Sequence, residues 1–398
     1  MIVDIRLIWL AVGTFAIGVE SFAISSILPQ IADATHVSVT QAGYLVIAFS
    51  LANAFGAPVL AALTGTADRR LILTVTALLF AACAAWAGLA DSYFELMAAR
   101  VLMAFCAGLY TATAQATGVA ISKPDHRGRA ISVIVGGTTM AVAFGAPLGA
   151  FVAGTVGWRG NYALVTGFAV IAAVAIWVML PKGLRGVQLS LRERVAAVTI
   201  PGVPSALLMT LLYMAGAFTV VIYLAVITTG SIGLSRELVP AVLLTFGIGA
   251  ALGNPVGGQL ADRIGARKTV AGAVVLNGFL LACLSLVPYL PAPAITPSFF
   301  LLMLVWGASG WAFAPAQSSR LVGLAPTSAP LLLSLNASAL YLGIAAGALT
   351  GGLVLRYGTP GDLGWVGAMF PLAVLAVIAT SAAGRRSSVR TPAIASPR

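Results

Sequence analysis

Residues 258–268 read Gly258-Gln259-Leu260-Ala261-Asp262-Arg263-Ile264-Gly265-Ala266-Arg267-Lys268. Four charges fall within seven residues, in a chain of which only 8% is charged. Apolar stretches at 238–260 and 268–288 flank them, each about the 20 residues that cross a bilayer core of about 30 Å. A charged turn between two such stretches is a hairpin at a membrane surface. Gly258 is placed for close helix approach, and Gly265 supplies a turn conformation awkward for other residues. Asp262 is set to accept bonds from Arg263 or Arg267, or to face a helix N-terminus. Such a cluster either locks one conformation and releases in another, or is a solvated turn that only sets topology.

The rest of the chain repeats this pattern. Of 398 residues, 60% are hydrophobic, and the mean hydropathy is +1.02. Soluble domains carry about 25% charged residues, so neither a water-soluble surface nor a disordered chain fits this composition. Twelve stretches are long enough to span: 7–29, 41–63, 71–91, 94–118, 130–155, 160–180, 204–228, 238–260, 268–288, 298–319, 331–355 and 364–384. Alternating strands of a membrane barrel are absent. Glu20 interrupts the first stretch and eleven others follow, which argues against a cleaved leader. With both termini cytoplasmic, 18 of the 22 Lys and Arg fall on the inner side. Arg159, Arg236 and Arg356 fall outside, and Arg100 lies within a span. This positive-inside asymmetry fits an inner-membrane protein. It also explains the net charge of +11 without nucleic acid.

The turn recurs. Asp68-Arg69-Arg70 after the second stretch matches Asp262-Arg263 after the eighth, 194 residues on. Gly108, Ala112, Ala114 and Gln115 recur as Gly310, Ala314, Ala316 and Gln317, and Gly145 and Gly149 recur as Gly343 and Gly347. Such order predicts an all-α membrane fold of two six-helix pseudo-repeats: residues 1–181, a cytoplasmic linker 182–203, residues 204–384, and a basic tail 385–398. Repeated halves place a substrate site between them near mid-membrane. Nothing resembles the filter loop of a channel.

Of eleven acids, only Glu20 is deep within a span, and Arg100 is the matching base. Either charge at a helix centre costs about 2.5–3.5 kcal/mol, so such residues face a cavity or a partner. At 1.5 Å per residue, they lie roughly 13 Å and 10 Å from the outer ends of their spans. They either orient two helices as a buried ion pair or couple proton uptake to transport. Offsets of 194 and 202 lead from them to Met214 and Leu302, so these charges belong to the first half only. Tyr110, Gln115, Trp311 and Gln317, on the fourth and tenth stretches, are the candidate cavity residues. Gly145, Pro147 and Gly149 would bend the fifth stretch and let it pack closely on a neighbour. Cys83, Cys106 and Cys283 lie far apart and far from His36 and His126, so neither a metal nor a cofactor is implied. No GxxxxGK[ST] loop for a nucleotide is present.

Gly258-Gln259-Leu260-Ala261-Asp262-Arg263-Ile264-Gly265-Ala266-Arg267-Lys268 resembles the cytoplasmic signature of the major facilitator superfamily. The first copy is degraded: Thr64 takes the leading Gly position and the second Gly is missing, so weaker gating is expected there. Gly13 to Phe22, with Leu28-Pro29-Gln30-Ile31-Ala32, resembles the opening of the twelve-span drug:proton antiporters. Within these it is similar to the arabinose/sugar-efflux and chloramphenicol-efflux-like branch. Arg100-Val101-Leu102 resembles the fourth-helix arginine motif, and Gly145-Ala146-Pro147-Leu148-Gly149 a shortened antiporter motif. The resemblance implies a monomeric secondary transporter, not an enzyme, that exports drugs, sugars or related metabolites against protons. Competing readings are an importer of sugars or nucleosides, a membrane enzyme, and a sensor that no longer transports. A nucleophile–base pair for the enzyme is not visible.

Overall fold

The structure, a computed structural model, describes residues 4–123, 126–185 and 196–389. The charges at Asp125, Arg192, Glu193, Arg194, Arg390 and Arg398, together with much of the 182–203 linker and the 385–398 tail, lie outside the described residues.

The helices begin where the sequence offers caps. Asp4 accepts from the N–H of Arg6 ahead of α1 (Ile5–Ala34). Ser38 and Gln41 form a reciprocal capping box at α2 (Val39–Leu63). Asp68 caps α3 (Arg69–Leu89), and Ser92 caps α4 (Tyr93–Ile121). Each supplies an acceptor to a helix N-terminus that has unpaired N–H groups. Two segments make up α5 (Arg127–Met140 and Ala146–Val156), joined by a π turn at Ala141–Gly145. Pro147 follows that turn at once. Having no N–H, it cannot serve the carbonyl of Ala143, and the wider turn absorbs the break. Then come α6 (Trp158–Met179) and α7 (Val203–Val221, with a further short segment Leu224–Val226). The remaining helices are α8 (Val239–Leu260), α9 (Ala266–Leu286), α10 (Ala292–Leu324), α11 (Ala329–Tyr357) and α12 (Asp362–Val389). No strand occurs among the described residues.

Eleven helical segments among the described residues are long and apolar enough to cross a membrane, against twelve stretches in the sequence. The difference lies in the opening motif. Residues 236–289 form one helical run of 54 residues that takes in the eighth and ninth stretches. If straight it would reach about 80 Å, well beyond a bilayer core of about 30 Å. Gly265 interrupts it at φ 91° and ψ 141°, a backbone that is not helical and that costs glycine least. Both arms, α8 and α9, pack on α10.

Helices α1–α6 pack chiefly on one another, and so do α7–α12. The groups meet where α2 lies on α11, and where α8 crosses the π turn and second segment of α5. Thr40 donates to the carbonyl of Gly352 at 3.1 Å, and Ser338 to that of Ala54 at 2.9 Å. Tyr223 of α7 fills the space over Gly43 of α2. The Thr40 and Tyr223 contacts lie at the end with the α1–α2 turn and the Ser338 contact past the middle of α2, and the first segment of α5 touches α8 far less than the second. The groups therefore part toward the end that carries the Asp68 and Asp262 turns. Large apolar side chains such as Phe151, Val178 and Leu89 are exposed outward, as lipid-facing positions require.

Candidate functional site

The lone intramembrane acid and base meet. Glu20 of α1 and Arg100 of α4 form an ion pair through Oε1 and Nη1, each residue 1% exposed. Arg100 also donates to the Tyr162 hydroxyl of α6 and, through Nε, to the Leu45 carbonyl of α2, both at 3.3 Å. Its guanidinium lies 5.2 Å from the centre of the Phe49 ring. Four helices thus converge on one cation. Glu20 Oε2, in contrast, is buried with no hydrogen-bond partner. A buried charge left half satisfied is costly and calls for a reason. Tyr341 of α11, from the other group, is within electrostatic reach of Glu20.

Close packing from α5 holds the acid in place. A Cβ on Gly145 would run into Val19, and one on Gly149 would crowd Ala23 and Asn161 at 2.6 Å. Val19 and Ala23 bracket Glu20 on α1. Gly145 and Gly149 therefore let α5 pack closely on the helix that carries the acid.

Two residues beyond Glu20, Phe22 touches the other group. Its ring centre lies 5.9 Å from Trp311 and 6.2 Å from Phe218. Phe246 continues the row, 5.7 Å from Trp311 and 4.9 Å from Trp306. Phe22 and Trp311 are half-buried. Of the four candidate cavity residues, only Trp311 joins this seam. Tyr110 turns into the α1–α6 group, where its hydroxyl donates to the Leu10 carbonyl at 3.2 Å. Gln317 is buried in the other group, donating to the Ala206 carbonyl at 2.6 Å and to Thr210 at 3.2 Å. Its Oε1 is unpartnered. Gln115 is half-buried on α4.

The two charged turns differ in their contacts. The degraded copy is engaged: Asp68 accepts from the backbone N–H of Gly183 at 2.7 Å and of Arg70 at 2.9 Å. These bonds, Gly183 first, hold its carboxyl below the usual aspartate range. Arg69 donates to the Ala116 carbonyl at 2.7 Å, and Arg70 lies over the Trp177 ring at 4.4 Å. In the intact copy Asp262, Arg263, Gly265 and Arg267 are exposed and Gly258 is half-buried. Among the described residues Asp262 forms an ion pair with neither Arg263 nor Arg267. Nor does Gly258 bring helices together, since space around it is open. The close approach is made instead by Gly253 and Gly257 of α8, which rest on backbone carbonyls of Ala308 and Ala312.

Tyr162, Leu45, Phe49 and the phenylalanine seam escaped the sequence reading. A backbone carbonyl leaves no trace in composition, and phenylalanine is frequent at 17 residues. The position of Phe22 beside Glu20 is the one signal that could have singled it out.

Two groups of membrane helices, one of them holding a buried ion pair, that meet along an aromatic seam have the build of a secondary transporter. A family model described as Major Facilitator Superfamily matches residues 10–235 and 206–395, and the chain belongs to that family. It is 31% identical over 361 residues to the inner membrane transport protein YdhP of Escherichia coli (strain K12), covering 90% of each chain. It is 32% identical over 360 residues to a chloramphenicol resistance protein of Streptomyces lividans, covering 89% of this chain and 90% of the relative. That relative is in keeping with the drug:proton antiporter branch. The human organic anion transporter MFSD10 (TETRAN) shares the fold, with a TM-score of 0.69 at 16% identity over 94% of this chain and 97% of that one. The chain is thus an integral membrane transporter of small molecules.

Proposed function

We propose that this transporter expels small, largely apolar organic molecules in exchange for protons. The observation that carries the reading is Glu20: an intramembrane carboxylate with one oxygen on Arg100 and the other without a partner. Protonation at Oε2 removes the negative charge that this oxygen holds without a partner, and with it the charge opposing Arg100. The change is made two residues from Phe22, which spans the two groups, so it bears directly on how they meet. The aromatic faces of Phe22 and Trp311 offer the substrate an apolar platform. Residues 1–181 and 204–384 rock as two units on the 182–203 linker. With both termini in the cytoplasm of an inner-membrane protein, the parted end faces the cytoplasm and receives substrate from there. No ATP is needed, since one charge crossing the membrane is worth about 2.3 kcal/mol per 100 mV.

The name of the Streptomyces relative makes chloramphenicol the first substrate to try, followed by other aromatic drugs. Inverted membrane vesicles should accumulate such a drug when their interior is acidified, and Glu20→Gln should abolish that accumulation while leaving the protein in the membrane. Accumulation by Glu20→Gln equal to that of the parent, or transport running the other way, would sink the proposal.

A further inference from the structure

A depression of about 460 Å³ opens at the end of the bundle that carries the α1–α2 and α3–α4 turns. Gln41, Tyr44, Asp91, Ser92 and Tyr93 are among the residues that line it. In its lining the Tyr93 hydroxyl donates to the Gln41 carbonyl at 2.6 Å, tying α4 to α2. The next rung between the same helices is Arg100 Nε on the Leu45 carbonyl. Gln41 and Leu45 are one turn apart, about 6 Å along the axis. Helical side chains lean toward the N-terminus, so Arg100 reaches back along α4 toward the depression. Tyr93, Met97 and Arg100 follow i, i+4, i+7 spacing and share one face of α4. Met97, partly buried, therefore lies between the two rungs. Beyond Arg100 is Glu20 with its unpartnered Oε2.

We infer that protons reach Glu20 from this depression, through the seam between α2 and α4, with Met97 as the movable plug. Both rungs lie within the α1–α6 group, so this entry needs no parting of the two groups. An unbranched thioether side chain with three rotatable bonds can swing aside without moving the backbone. A hydronium ion at the Arg100 rung gives its proton to Glu20: an O–H bond forms at Oε2, one breaks on the hydronium, and a water remains. Glu20 becomes neutral and Arg100 keeps its charge. Beforehand the pair is neutral overall, so the incoming cation meets no net charge. The charged and titratable groups facing Glu20 are Arg100, Tyr162 and Tyr341. At the mouth Asp91 is held by Arg159 at 3.3 Å, with its side chain 93% exposed. The closed plug is what keeps protons from leaking while the other end is open.

The inference rests on Glu20 as the proton acceptor, and the test separates the two. The full chain is reconstituted in one orientation, and the carboxylic-acid stretch of Glu20 is followed by infrared difference spectroscopy after one side is acidified. Glu20→Gln identifies the band. With acid on the depression side, Met97→Trp should slow its rise by about tenfold, and Met97→Ala should quicken it. With acid on the opposite side, both variants should match the parent. If Met97→Trp does not fold, Met97→Ala decides alone. Rates from the depression side that both variants leave unchanged overturn the route. A band that survives Glu20→Gln overturns the reading of Glu20 instead.

Discussion

Replacing Arg100 by Met keeps the bulk of the side chain and removes its charge. The structure sets what is lost: the ion pair to Glu20, the bonds to Tyr162 and the Leu45 carbonyl, and the contact with the Phe49 ring. Leu45, Tyr162 and both Glu20 oxygens are then left facing an apolar side chain. Breaking a buried pair by taking one partner costs about 3–5 kcal/mol, because the remaining charge is uncompensated. At about 1.4 kcal/mol per tenfold, the balance between native and unfolded protein moves by two to nearly four orders of magnitude. Removing both charges is far milder, since buried pairs replaced by neutral groups of similar volume are often neutral in stability. Arg100→Met should therefore lower the apparent unfolding temperature in detergent sharply. Glu20→Gln combined with Arg100→Met should recover most of the loss while still failing to couple to protons. The measurement is a thermal melt followed by size-exclusion profile for parent, both single variants and the double. A single Arg100→Met as stable as the parent, or a double no better than that single, would refute the view that the pair is mutually dependent.

Three further outcomes are expected. Gly253→Val should cripple folding, because its side chain would drive α8 off the Ala308 carbonyl of α10, whereas Gly258→Val, in open space, should be tolerated; expression yield and monodispersity after solubilisation distinguish them. Asp68 is held below the usual aspartate range by Gly183, so its grip on the linker is fully present above about pH 4 and is lost as pH falls through its lower folded value. A fluorophore at Arg185→Cys should report no loosening between pH 8 and 5 and progressive loosening below about pH 4, while Asp68→Ala should be loose throughout. Gly43→Val would push Tyr223 from its seat between α2 and α11, so thiol probes should reach that end of the seam faster than in the parent; unchanged labelling would mean that Tyr223 does not help close it.

What the sequence revealed and what it hid divide along physical lines. Charge in an apolar run stands out, so Glu20 and Arg100 are conspicuous in the chain itself, and residue counts suffice to compare their depths. Helix existence is equally plain, because about 20 apolar residues have few other uses. The partners that complete the site are hidden, since Leu45 acts through its carbonyl and Tyr162 resembles any tyrosine at a span end. Tyr110 and Gln317 are polar and intramembrane, yet the side of the helix they occupy turns them inward to local hydrogen bonds. Helical phase at that precision depends on crossing angles the sequence does not display. The two charged turns make the same point: the better-preserved motif gives Asp262 no ion pair among the described residues, whereas the start of the linker sets the Gly183 N–H against Asp68, a contact that no motif encodes.

One carboxylate within the spans also limits how far the transporter can pump. The positions matching Glu20 and Arg100 in the second half are Met214 and Leu302. The second half instead carries neutral polar contacts, Gln317 to Thr210 and Thr210 to Asn336 at 2.7 Å. If Glu20 alone takes up protons, one proton enters per molecule expelled. For an uncharged substrate, about 2.3 kcal/mol from 100 mV and about 1.4 kcal/mol from one pH unit together sustain a gradient of about 500-fold. The limit should fall to about tenfold when the voltage is collapsed and the pH difference kept. Steady-state drug ratios across vesicles at clamped voltage and pH measure this directly. A ratio that clearly exceeds the limit requires a second proton, and with it a second acceptor among groups that the structure shows as neutral.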